Sequence, residues 1–264
     1  MKPTIMMVTP EKAKAFLGFN TDNRNKRGWW ITSLANMIKR GEWIPTHQGV
    51  AFSKSGKLID GQHRLEAIVE ANMPVEMLVV VDVRDDAYKV LDNGVKRTLA
   101  DLTGMTARTA EVCRILARSA FNSNMGTSAE QCLEIYNTGV GEVSDNLVEY
   151  CGKQIKIYSA ASVRTAAVCL ILDGYNQQYI KDLYANLCHQ QFNELPNIAQ
   201  AFIRQVNEGK VNANNKNDLT ARALKVFNPE FKDVSRLQIS DSEASAGMVY
   251  CRTVVRNLLN KDKK

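Results

Sequence analysis

The pattern of apolar residues changes once along this chain, near Gly104. Before that point short β-branched runs alternate with turn compositions, and after it apolar residues recur mostly at helical spacing. The pattern predicts an α+β protein, with a small α/β domain over 1–104 followed by an all-helical domain over 105–264. With 264 residues and 45% hydrophobic content, the chain can bury a real core in each.

In the first part, Trp30, Leu34, Met37 and Ile38 fall at helical spacing between Trp29 and Arg40, and Gly41 is a natural stop. Trp29, Trp30 and Trp43 read as core and domain-interface residues rather than as platforms for stacked bases. Gly49–Phe52 and Lys57–Ile59 flank the turn composition Ser53-Lys54-Ser55-Gly56, which predicts a β-hairpin. A helix follows over Gln62–Ala71, ended by Pro74, and Val75–Val83 reads as a buried strand. Asp85–Leu91 can form a short helix, and Asp92-Asn93-Gly94 is a turn. Helices are predicted around Val112–Ser119, Leu133–Tyr136, Val163–Leu172, Tyr179–Leu187, Ile198–Val206 and Met248–Leu259, with Lys210–Asn217 as a loop.

Several function classes are disfavoured. The apolar run in Met1–Val8 is too short for a signal-peptide core and no later run has spanning length, so no membrane partner and a cytoplasmic location are expected. The six cysteines (Cys113, Cys132, Cys151, Cys169, Cys188, Cys251) stand singly, without a Cys-x-x-Cys pair, and read as reduced buried thiols rather than a zinc site. The net charge of +6 is split evenly, with 15 basic and 12 acidic residues before Gly104 and 19 and 16 after it. A basic domain of the kind that grips a phosphate backbone is therefore not evident.

The chemistry concentrates at Asp60-Gly61-Gln62-His63-Arg64. A turn from a strand into a helix offers unpaired backbone N–H groups and the positive end of the helix dipole, which suits a phosphate. Gly61 allows close approach to the backbone, and His63 and Arg64 add donors, the arginine in a fork that matches phosphate. The competing reading has Asp60 as a helix cap and Arg64 on a solvated face.

Around that centre, Asp22-Asn23-Arg24, Gly41-Glu42-Trp43, the run Gly56–Ala67 and Asp92–Thr98 stand in a recognisable order. Together they make the first 104 residues, about two-fifths of the chain, similar to the ParB/sulfiredoxin-like superfamily in its D-G-Q-H-R-L branch, common in phages and mobile elements. The resemblance implies a small α/β fold holding a nucleotide phosphate where His63 and Arg64 begin a helix. Members act as nucleotide-gated DNA clamps, ATP-dependent phosphotransferases or nucleases. The sulfiredoxin branch places a cysteine where this chain has Gln62, and no cysteine precedes Cys113, so sulfinic acid reduction is not expected. ParB proteins carry a helix-turn-helix DNA reader next; here only Arg108, Arg114 and Arg118 form a basic stripe, which is equally a solvated helix face.

The expected ligand is ATP or another NTP with Mg2+. In an enzyme, phosphates rest on Gly61, Gln62, His63 and Arg64, with Arg97 on a second phosphate; Asp60 or Asp92 holds the metal, and Glu42, Asp60 or His63 moves the proton. In a nucleotide-gated switch, Arg24, Arg27 and Arg108 contact DNA, although Arg24 and Arg27 equally suit a solvated turn. A phage-type effector that binds a host protein, or an oligomer, is also compatible with the chain.

Overall fold

Lys2–Val8 forms the first strand, β1, which its uneven pattern does not announce. Thr9 then caps α1 (Pro10–Leu17), accepting the Lys12 N–H at 3.3 Å, with proline in the first turn where its missing N–H costs nothing. Helix α2 (Gly28–Lys39) is the one read from the sequence, and Gly41 at φ +73° ends it. Its buried stripe is Ile31, Leu34, Ala35 and Ile38, one position on from the predicted face. That stripe is complete without the tryptophans, and Trp29 and Trp30 stand 55% and 40% exposed, which corrects their reading as core.

The computed structural model describes residues 1–21, 25–87, 98–122, 126–152, 155 and 157–261, and the chain divides into two units, Met1–Lys96 and Arg97–Lys264. In the first, the hairpin forms as β2 (Val50–Ser53) and β3 (Leu58–Asp60), followed by α3 (Gln62–Ala71) and β4 (Val75–Val83). The sheet order is β1-β4-β2-β3, with β4 antiparallel to β1 and parallel to β2. Helix α3 makes the crossover that a parallel pair requires. Val50, Val75, Met77 and Val79 pack with Leu34, Leu65 and Ile68 in one core. β4 is buried on that side alone, since Glu76 is exposed between Val75 and Met77; this corrects the expectation of a fully buried strand. Asp85–Ala87 form a turn, and the rest of the short helix expected there lies outside the described residues.

The second unit shows only helices among its described residues: α4 (Leu99–Thr103), α5 (Ala107–Ala120), α6 (Ala129–Ile135), α7 (Gly141–Cys151), α8 (Ala161–Leu172), α9 (Gln177–His189), α10 (Asn197–Asn207), α11 (Lys216–Phe227) and α12 (Asp241–Lys261). The span Lys210–Asn217 is a loop only as far as Asn215, whose side chain caps α11 by accepting the Asp218 N–H at 3.2 Å. Helix α8 is the centre of this unit, with Ser162–Ile171 buried without a break. No helix among the described residues is long and apolar enough to cross a membrane.

The cysteines that stand singly in sequence meet in space. Cys169 contacts Cys251 and Cys188 contacts Cys151, and these thiol pairs, together with burial, raise the pKa of Cys169 and Cys188. Burial pushes the Cys113 thiol up to about 12. All six are free and buried. Because the thiolate is the reactive form, iodoacetamide at neutral pH should label none of them in the folded protein and all six in guanidinium. Fast labelling of even one native thiol, followed by mass spectrometry, contradicts this packing.

Candidate functional site

Gly61 turns the chain from β3 into α3. It sits at φ +97°, and a Cβ there would lie 2.5 Å from Val50 Cγ1, so both backbone conformation and space demand glycine. As N-cap of α3, Gly61 has no side chain with which to cap it. Asp60, read as a possible cap, instead accepts the Gly61 N–H on Oδ1 at 2.6 Å, one residue short of the helix.

The following side chains are drawn into structural contacts. Arg64 donates through Nη1 to the Gly49 carbonyl at 2.6 Å and lies 3.6 Å from Asp60 Oδ2, with Nη2 3.4 Å from Gln48 Oε1. Its side chain is 22% exposed, so the guanidinium braces the segment entering β2 while keeping one edge towards solvent. Arg64 is therefore neither on a wholly solvated face nor free for a phosphate alone, since part of its fork is engaged by Gly49 and Asp60. Gln62 is buried and accepts from Asn20 Nδ2 at 3.1 Å. His63 is buried too, and its Nε2 accepts the Arg27 backbone N–H at 3.1 Å, which places the ring proton on Nδ1. Lys26 pairs with Glu66 one turn further along.

These contacts bring the start of α2 against the start of α3. Arg27 is the N-cap of α2 and offers no side-chain cap, as Gly61 offers none for α3. Two helix N-termini, each with a positive dipole end, therefore meet at Arg27 and His63. Trp29 and Trp30 project beside them, ring centroids 5.7 Å apart.

No known protein family, curated protein or solved structure matches this chain. The residues read from the sequence therefore stand on geometry. The structure gathers Arg27, Asp60, Gly61, Gln62, His63 and Arg64 in one region, but not Glu42. Glu42 follows the far end of α2, about 18 Å along that helix from its start by the rise of 1.5 Å per residue. There its carboxylate clasps Arg40 at 2.7 and 2.8 Å. Arg24, Asp92 and Arg97 lie outside the described residues, and Arg108 belongs to the second unit. Among the described residues no group of three or more His, Cys, Asp or Glu side chains forms a metal site. The exposed tryptophan pair escaped the sequence reading, although two adjacent tryptophans can share one buried helix stripe only poorly.

Proposed function

We propose that the first unit is a nucleotide-binding module that takes the phosphates of an NTP at the meeting point of α2 and α3 and stacks the base on Trp29 or Trp30. The observation that carries this reading is the Arg27 N–H to His63 Nε2 contact, which joins two helix starts whose own N-cap residues supply no side-chain cap, beside an exposed aromatic pair. Asp60 already has Gly61 N–H and Arg64 against its oxygens, so Mg2+ arrives with the phosphates rather than being held in advance. Binding is favoured over catalysis, because Glu42 is remote and ion-paired and His63 Nε2 already accepts a backbone proton donor. The similarity to the ParB/sulfiredoxin-like superfamily points to the same use of this turn.

Titrating ATP, CTP or GTP with magnesium into the full chain should quench tryptophan fluorescence for at least one of them. The same nucleotide at a hundred times its Kd should stabilise the fold by about 2.7 kcal/mol. Trp29→Ala with Trp30→Ala should weaken binding by roughly 1 to 3 kcal/mol of lost stacking and leave the fold intact, since both rings are exposed. Flat fluorescence and flat melting curves for all three nucleotides exclude the proposal. Arg64→Ala is the less selective probe, because it also frees the Gly49 carbonyl.

A further inference from the structure

The predicted basic stripe on α5 does not face open solvent along its whole length. Arg108 and Arg114 line a cleft of about 650 Å³ in the second unit, with Lys216 from the start of α11 on another wall. None of these three cations forms an ion pair among the described residues, whereas Lys225, Arg222 and Arg164 nearby in the same unit all do. Ala160 and Ala161 also line the cleft; they open α8, a helix of 12 residues whose N-cap Ala160 has no side chain able to satisfy the first N–H groups.

Behind this wall lies Arg164, fully buried. Its guanidinium is aimed at the residues that line the cleft. It donates to the Ser159 carbonyl, to the Glu111 carboxylate and, at 3.4 Å, to the Arg108 carbonyl. Its Nε has no hydrogen-bond partner. Glu111 also lines the cleft, but its carboxylate is engaged by Arg164, and the rest of the lining carries three cations and no other acidic residue. A buried charge costs much unless it is paired and hydrogen-bonded, and here the pairing with Glu111 lets Arg164 fix three wall segments of the cleft.

We infer that this cleft is a second anion site, built for a small molecule carrying a phosphate or pyrophosphate group. The cations and the α8 N-terminus would hold the phosphoryl oxygens, and Ile115 with Ala160 and Ala161 would take an apolar or ring portion. The concavity and volume favour a small ligand over a nucleic acid duplex, which needs cations spread along an extended face. The site is independent of α2 and α3.

Inorganic pyrophosphate is the direct probe, titrated calorimetrically into the full chain at constant ionic strength. Binding is expected, with Arg108→Ala plus Arg114→Ala weakening it at least tenfold and Lys216→Ala about threefold or more. The melting temperature of these variants should stay unchanged because the three side chains are exposed and unpaired. The Arg108 and Arg114 changes should leave nucleotide-dependent quenching of tryptophan fluorescence as it was, which separates this site from the nucleotide site. Three results overturn the inference: no binding, binding indifferent to the Arg108 and Arg114 changes, or loss in those variants of duplex DNA binding but not of pyrophosphate binding.

Discussion

Replacing Gly49 with alanine is expected to cost at least about 4 kcal/mol, or to prevent the first unit from folding. A Cβ at Gly49 would lie 1.6 Å from the Leu78 carbonyl oxygen and 2.5 Å from its carbon, and both are backbone atoms of β4 that no rotamer change can move. The Gly49 carbonyl is at the same time held by Arg64, so the segment cannot retreat without breaking that hydrogen bond. Gly56→Ala is the control: it sits at φ +83° in the hairpin turn with nothing within 4 Å of the new Cβ, and should cost only about 1 kcal/mol. Urea unfolding of both variants, followed by tryptophan fluorescence, decides the matter. All three tryptophans lie in the first unit, so the signal reports that unit. A Gly49→Ala protein as stable as the Gly56→Ala one means that β2 and β4 do not approach as closely as described.

The second large effect is expected at Arg164. Arg164→Ala should destabilise the second unit by about 3 to 5 kcal/mol, because it empties a fully buried volume and strips the donor from the Ser159 carbonyl. Arg164→Met separates the two causes. It restores most of the volume and removes a charge from the interior, while Glu111, 49% exposed, can be solvated once its partner is gone. About half of the loss, or less, should therefore remain with methionine. Circular dichroism at 222 nm during denaturation follows this helical unit. An alanine variant within 1 kcal/mol of the parent contradicts the burial of Arg164.

The helices with strong stripes and the hairpin were legible in the sequence, because 3.6-residue periodicity and a Ser-Lys-Ser-Gly turn are local signals. β1 was not, since its partner β4 is distant in sequence and its outward side is itself apolar: Ile5 and Met7 are exposed, which erases the alternation. The Asp60–Arg64 turn was correctly placed between strand and helix. What Arg64 and His63 touch could not be read, because Gly49 and Arg27 reach them only through the tertiary fold. The cleft had a partial signature in Arg108, Glu111 and Arg114, spaced three apart on one face of α5. A single arginine inside the apolar run Val163–Leu172 was the other sign, and its importance emerges only once α8 is surrounded on all sides.

The pairing of β1 with β4 also sets an order on synthesis. Val8 pairs with Val75 and Lys2 with Val81, so β1 gains its neighbour only after the hairpin, α3 and β4 have all been made. Until then Ile5, Met6, Met7 and Val8 travel as an unpaired apolar strand, the kind of segment to which a chaperone binds or along which two nascent chains adhere. Pro3, which cannot donate to a ladder, and Lys2, which carries charge, stand in the first half of that strand and make it a poor template for a stranger's.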